Sequence, residues 1–355
     1  MKIQLLSFIL FCFVTQIIAA QVILNANGEG NTYEDINAVL APNYDIVEVP
    51  DCAHSSFGRH IDEVFDKDLN TYVFRFVAHV NQDNDRCKKF DRQRIEIKTY
   101  GKSPKNLKGT EGETVEYKWK FKLPNNFKVS KNFTHLHQIK SVGSAYSSLP
   151  IISLTARKGT PDGLELRHAP TDSQNTVATV ELDLLKGKWV EVTEVIHYSN
   201  NGSYSIEIKS VSNDSKIFEY NNDRIDMWQD GSDFMRPKWG IYRSLKRKED
   251  LKDEVVLFNS FSIEEIPALT LEELEKKADK KQLVADSKKQ IINFKNSRAD
   301  DYDEVQLYNS SGKKISSKNI IKKYKIQVSE LSNDSYYIVF SKSKRAVKVL
   351  KCLVE

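Results

Sequence analysis

Cysteine is scarce in this chain: four in 355 residues, with only Cys52, Cys87 and Cys352 beyond the first twenty. Thiols so few and so widely spaced argue against a cysteine-bound metal, and no metal ligand set is read from the sequence. Glycine-rich strand-to-helix turns are also missing, which disfavours a parallel α/β fold. After the first twenty residues no apolar run approaches spanning length, so no membrane span is expected. Nor does one sign of charge dominate. The formal net charge is +4, too mild to require a nucleic-acid partner, yet suited to an acidic ligand wherever the positive charges cluster. Length and composition are those of a globular chain with room for one large domain or two.

What is present begins with a targeting pattern. Lys2 precedes a mostly apolar run over 5–18, and Ala19 and Ala20 supply small residues before Gln21. That layout predicts a signal peptide over 1–20 and a secreted product, extracellular or at the outer cell surface. Export to an oxidising compartment makes a Cys52–Cys87 disulfide the expected pairing. From residue 22 to about 267, short alternating runs recur between Gly, Pro, Asn and Asp, among them 72–80, 94–100, 115–123, 135–140, 151–156, 189–197, 204–209 and 238–242. Many short strands with turn signals between them predict an all-β fold, a β-jelly-roll sandwich over 21–267. The Lys- and Glu-rich stretch 268–290 reads as a short helical or flexible linker. Strand patterns return over 291–355, which predicts a small C-terminal β domain.

Three segments carry the most promising polar side chains. In 93–100, alternation puts Arg94, Glu96, Lys98 and Tyr100 on one face and Ile95 and Ile97 on the other, so a strand that buries isoleucines shows cations and a carboxylate. In 135–140, Gln138 and Lys140 share a face, while Ile139 shares the other with His135 and His137. His137 is kept as a catalytic candidate, although a histidine beside an apolar position is more often structural. In 236–243, Lys238, Gly240 and Tyr242 point one way and Trp239, Ile241 and Arg243 the other. Gly240 removes a side chain between Lys238 and Tyr242 and would let a ligand approach the sheet.

In this order, Arg94-x-Glu96-x-Lys98, Gln138-Ile139-Lys140 and Lys238-x-Gly240-Ile241-Tyr242-Arg243 resemble the concave-face strands of jelly-roll polysaccharide lyases. Alginate lyases of that fold carry Arg-x-Glu-Leu-Arg, Gln-Ile-His and Tyr-Phe-Lys-x-Gly-x-Tyr strands, and heparin lyase ends the last one Gly-Ile-Tyr-Arg. The resemblance spans about residues 45–265. Lys140 departs from it, standing where those lyases place a histidine assigned to proton transfer or charge neutralisation. On overall resemblance the chain is closer to the jelly-roll ulvan lyases of polysaccharide lyase family 28. The tail resembles the C-terminal sorting domains of the type IX secretion system of Bacteroidetes, through Val305-x-Leu307-Tyr308-Asn309-x-x-Gly312-Lys313-Lys314 and the run 331–339; residues 351–355 depart from the usual ending.

The resemblance implies removal of the C5 proton of a uronic acid with expulsion of the 4-linked sugar. That proton is weakly acidic while the neighbouring carboxylate is negative, so preorganised donors must neutralise the carboxylate. Arg94, Gln138 and Lys140 offer a fork, an amide and a point charge. Tyr242 is assigned the proton transfer; it or a nearby histidine, His137 foremost, would protonate the leaving oxygen. Glu96, Lys98 and Lys238 would line the substrate, and Arg157, Arg167 and Arg243 would hold carboxylates or sulfates at neighbouring subsites. The expected partner is an acidic, sulfated uronate polysaccharide such as ulvan, with alginate, glucuronan or a heparin-like glycan as alternatives. The secretion machinery would meet the tail, and the chain is expected to act as a monomer. No cofactor is expected. Asp83-Asn84-Asp85 has calcium-ligand types, but a solvated acidic turn is the simpler reading. Two rivals are weaker. A glycoside hydrolase needs two carboxylates about 5–10 Å apart, and the nearest motif, Glu181-x-Asp183-x-x-Lys186, ends in the wrong charge. A non-catalytic carbohydrate-binding module would rely on exposed aromatics, whereas this face is cationic.

Overall fold

The computed structural model describes residues 21–266 and, beyond them, 271–278, 283–285, 291–293, 304–312, 314–315, 320–322, 325–327, 331–342 and 345–354. The signal-peptide expectation lies outside the described residues. The chain divides into two compact units, Met1–Pro267 and Ala268–Glu355.

The first unit is built from β1 (Val22–Leu24), β2 (Val47–Glu48), β3 (Ile61–Asp66), β4 (Thr71–Ala78), β5 (Arg92–Lys98), β6 (Thr114–Lys122), β7 (Thr134–Val142), β8 (Ile152–Arg157), β9 (Gly163–His168), β10 (Asn175–Glu181), β11 (Trp189–His197), β12 (Gly202–Ser210), β13 (Lys216–Ile225), β14 (Phe234–Ser244) and β15 (Glu254–Ile266). One sheet runs β13-β12-β11-β6-β15-β4-β3, with β1 added against β15, and the other runs β10-β9-β8-β7-β14-β5-β2. The strand pairs within both are antiparallel. Period-2 alternation explains the layering, because each strand turns one set of side chains inward. Phe74, Phe76, Trp119, Phe121 and Phe258 of the first sheet meet Ile95, Ile97, Leu136, Ile139, Trp239 and Ile241 of the second in one core. Trp239 bridges the layers, with ring centroids 6.1 Å from Trp119 and 5.0 Å from Phe261. The all-β sandwich expected from the sequence is the fold found.

One element departs from the strand reading. Thr32–Leu40 is a helix, with Glu34 and Asp35 in its first turn and Ile36 and Leu40 buried. Those two apolar residues lie four apart, the spacing of one helical face, and acids near the N-terminus suit the helix dipole.

Cys52 and Cys87 are bonded, with Cα atoms 6.3 Å apart. The bond closes a loop 35 residues long, which by chain entropy contributes about 3–4 kcal/mol. Replacing both cysteines by serine is therefore expected to lower the urea midpoint markedly and to raise the m-value, since the freed chain exposes more surface on unfolding, measured by fluorescence. An unchanged midpoint would show that the loop is held by its other contacts.

Gly240 has a different role from the one its sequence context suggests. Its φ is +142°, and a Cβ there would lie 2.1 Å from the Ile95 carbonyl oxygen and 2.8 Å from Glu96 Cα. The missing side chain makes room for the neighbouring strand's backbone, not for a ligand. Gly240→Ala is expected to cost about 2–4 kcal/mol through strain and backbone clash, read as a drop in Tm.

In the second unit, Leu283–Ala285, Arg345–Val354, Ser335–Lys342 and Glu304–Asn309 form a four-stranded sheet. The stretch expected as a linker contributes to this packing. Helix Leu271–Lys277 buries Leu274 against Tyr337, Val339 and Val349, and Leu283–Ala285 pairs in parallel with the final strand.

Candidate active site

Strands β5, β14 and β7 lie side by side, with Lys238 opposite both Lys98 and Gln138, and Tyr242 opposite both Arg94 and His135. Register therefore gathers residues distant in sequence onto one outer face. Arg94, Glu96 and Lys98 come from β5, Gln138 and Lys140 from β7, and Lys238 and Tyr242 from β14. The three strands expected to lie together are neighbours in one sheet.

The floor of this face is a charge lattice. Glu96, 1% exposed, accepts from Arg94 Nη1 and Gln138 Nε2 and pairs with Lys238 at 3.0 Å. Glu48, from edge strand β2, accepts from Lys98 at 2.7 Å and from Lys238 at 2.5 Å. Asp85 holds Arg94 through Nε at 2.9 Å and Nη2 at 3.2 Å. Burial pushes the Glu48 and Glu96 carboxyls up, but the surrounding cations outweigh it and both sit below the ordinary range. Arg94 and Lys238 are thus buried and neutralised, which makes them, with Glu96 and Gln138, the rigid support of the face. Arg94 also sits over the face of the phenol, its Cζ 3.7 Å from the Tyr242 ring centroid. Arg92 donates to Tyr242 Oη at 3.0 Å.

Two cations are arranged differently. Lys140 Nζ donates to the Ser148 carbonyl at 3.1 Å. Arg236 stands directly across from it on β14. Among the described residues neither is within ion-pair distance of a carboxylate. Burial, and then the like charges of Lys238, Arg94 and Arg236, push the Lys140 ammonium down to about 8. This pair is the part of the face with positive charge left to offer.

One histidine departs from the alternation reading, which put both His135 and His137 on the face of Ile139. Between the pairs His135–Thr155 and His137–Leu154, β7 advances two residues and β8 one. Between Trp239–His137 and Tyr242–His135, β14 carries an extra residue. These bulges rotate His135 onto the cleft face, with its ring 5.8 Å from that of Tyr242 and stacked on Phe133 at 4.8 Å. Burial pushes His135 down to about 3, so it stays neutral. Its Nδ1 has no hydrogen-bond partner among the described residues. His137 instead lies in the core. It is fully buried, its ring is 4.3 Å from Trp119, and its Nε2 is 2.9 Å from Glu194 Oε2. It does not reach the face that carries Tyr242.

Arg243 is also moved off the site. It is 1% exposed on the inner side of β14, donating to Gln93 Oε1 at 2.7 Å and to the Lys252 carbonyl at 2.9 Å. A core arginine holding two oxygens is a structural brace and not a subsite ligand. Arg157 and Arg167 lie on the strands beyond β7, both drawn to Glu165, at 3.5 and 2.8 Å. Asp83 and Asp85 do not form a solvated acidic turn: both are buried, Asp83 among histidines and Asp85 beneath Arg94 and Arg86. The guanidiniums occupy Asp85, so the two acids do not make a calcium site.

From the sequence Glu48, Arg92 and Arg236 received no role in the site, Asp85 was weighed only as a calcium-ligand type, and His135 was ranked below His137. Arg92 and Arg236 carried a usable signal, since each lies two residues from a chosen residue on an alternating strand. Glu48 and Asp85 carried none, because only sheet pairing and loop packing bring them to the face.

The chain is similar to solved structures of an endo-β-1,4-glucuronan lyase from the fungus Trichoderma reesei (16% identity over 59% of this chain and 87% of that one, TM-score 0.41), of a marine alginate lyase from Aplysia kurodai (16%, 69% and 99%, TM-score 0.45), and of an alginate lyase from Pseudomonas aeruginosa (14%, 57% and 86%, TM-score 0.40). No curated protein sequence matches it. A family model described as polysaccharide lyase matches residues 69–262, more than half of the chain and all three strands of the candidate site. This chain belongs to that polysaccharide lyase family.

Proposed function

We propose that this lyase cleaves an acidic, uronate-containing polysaccharide by β-elimination on the β5-β14-β7 face, with sulfated ulvan as the first substrate to test. The observation that carries the reading is the uncompensated pair Lys140 and Arg236 beside a lattice whose other charges are matched. A uronate carboxylate placed against that pair loses much of its charge, and its C5 proton becomes more acidic. Tyr242, in its phenolate form, takes the C5 proton. The electron pair forms the C4–C5 double bond, and the C4–O bond breaks with its electrons going to the leaving sugar oxygen. That oxygen then receives a proton from Tyr242 or from solvent. Arg92 donates a hydrogen bond to the Tyr242 oxygen, which supports the phenolate form needed to accept that proton. Arg94, Gln138, Glu96 and Lys238 position these groups and do not themselves take up the carboxylate.

A second reading has one observation in its favour. His135 lies beside Tyr242 with an unpartnered nitrogen, and it would serve as the base in place of the phenol, working against the burial that holds it down to about 3. Arg157 and Arg167 bind anionic groups on adjoining sugars. Export through the N-terminal segment, and recognition of the second unit by a type IX secretion machinery, complete the proposal. They rest on the sequence patterns alone.

The test is incubation of the purified protein with ulvan, alginate, glucuronan and heparin, followed by ultraviolet absorbance of the unsaturated uronate end. A rise with one polymer supports the reading and names the substrate. Binding without any unsaturated product would replace it with a carbohydrate-binding role.

A further inference from the structure

Away from the cleft, His54, His60, His79 and Asp83 converge. Each offers one ligand atom, and the four atoms lie within 4.8 Å of one another. His54 Nδ1 is 3.2 Å from Asp83 Oδ1, His60 Nε2 is 3.0 Å from the same oxygen, and His79 Nδ1 is 3.2 Å from Oδ2. Ligands about 2.0–2.1 Å from a tetrahedral ion sit roughly 3.3 Å from each other, so the separations from Asp83 already match, and the wider pairs, all within 4.8 Å, would draw together on binding. Three imidazoles and the His79 backbone N–H, at 2.6 Å from Oδ2, converge on this one carboxylate.

We infer that these four residues bind one divalent transition-metal ion, zinc foremost, as a closed structural site. Three nitrogens and one carboxylate oxygen are a zinc donor set and a poor one for calcium, which takes oxygens. The outer layer has the form that metal-bound histidines require. His60 Nδ1 lies 2.7 Å from Asp51 Oδ1, and Asp51 Oδ2 accepts from Tyr33 Oη at 3.0 Å, which fixes the His60 ring with Nε2 toward the site. Phe57 covers the cluster, its ring 5.4 Å from His54 and 4.3 Å from His79. His60 and Asp83 are fully buried at the side chain, and His54 and His79 are 16% and 15% exposed, which leaves an entry path.

The placement suggests what the ion would do. It would join the segment bearing His54 and His60 to the end of β4 and to the loop that follows. Cys52 and Cys87 link the same two regions covalently. The loop bearing Asp83 also carries Asp85, which anchors Arg94 against Tyr242. The site would therefore hold the wall from which the cleft floor is braced, and it stands whether or not the proposed β-elimination does.

The experiment uses the full-length chain without a polyhistidine tag, stripped with chelator and titrated with zinc chloride by calorimetry and with cobalt(II) by visible absorption. One zinc per chain, the intense visible bands of four-coordinate cobalt, and a Tm rise of about 5–10 °C at a hundredfold excess over Kd are expected. The double substitution His54→Ala/His79→Ala touches only partly exposed side chains and should abolish uptake. Asp51→Asn, which leaves all four ligands in place, should weaken binding about 10–100-fold. Absence of stoichiometric uptake by the parent chain, or uptake undiminished in both variants, would overturn the site.

Discussion

Tyr242→Phe is expected to lower turnover by ~10²–10⁴-fold on whichever uronate polymer yields an unsaturated product, since that is the usual worth of a positioned proton-transfer group. The ring packs between the Arg94 guanidinium and the Phe133 ring, and phenylalanine preserves both contacts. Only the hydroxyl and its bond from Arg92 are lost, so Tm should move little. Two histidine variants then separate the readings. His137→Ala opens a hole in the core and removes the partner of Glu194, so its main effect should be on stability. His135→Ala acts on the cleft face. If Tyr242→Phe retains normal turnover while His135→Ala abolishes it in folded protein, the imidazole is the base. If neither variant affects product formation, the chemistry lies off this face.

Lys140→Ala should reduce kcat/KM by about 10²–10³-fold, the scale for removing one preorganised charge-stabilising donor. The pH dependence supplies an independent reading. Burial and neighbouring cations bring Lys140 down to about 8 from 10.5, so in the free enzyme it is charged below that pH and neutral above it. A cation that neutralises the substrate carboxylate must be charged, and kcat/KM should therefore fall as pH rises through about 8. Lys140→Arg should retain measurable activity and extend the alkaline limb upward, because guanidinium stays protonated. If Lys140 were instead the base, activity would rise over the same interval, and Lys140→Arg would be inactive. The stability consequence runs the other way. A lysine whose folded pKa is depressed opposes folding while charged, fully below about pH 8 and less as pH rises toward 10.5. Lys140→Ala is thus expected to fold at least as well as the parent at pH 7, which separates its catalytic effect from any loss of structure.

Much of this protein is written locally. Period-2 alternation in Arg92–Lys98 fixes which side chains face inward, because successive residues of a strand point to opposite sides. It placed Arg94, Glu96 and Lys98 on the outer face before any pairing was known. The same rule placed Lys238 and Tyr242 on β14, and Gln138 and Lys140 on β7. The disulfide followed from the two cysteines left in the first unit. The helix Thr32–Leu40 was passed over because nine residues hold too few turns to stand out among strand-like runs.

The tertiary structure decided the rest, for reasons that act between segments. Bulges in β7 and β14 exist only relative to their neighbours, so alternation within 135–140 could set His137 beside Ile139 in the core but could not say that His135 turns to the opposite face. The conformation of Gly240 answers to the Ile95 carbonyl on the next strand. The charge state of the face depends on Glu48, 190 residues from Lys238 in sequence yet hydrogen-bonded to it. His54, His60, His79 and Asp83 lie within thirty residues, but only folding turns their nitrogens toward one carboxylate. The sequence by itself determined the sandwich and the residue types on its cleft face, because alternation is a property of one strand. Which cations remain unpaired there, and which histidine joins them, was decided by strand register and burial, because neutralisation and desolvation depend on what the rest of the fold brings near.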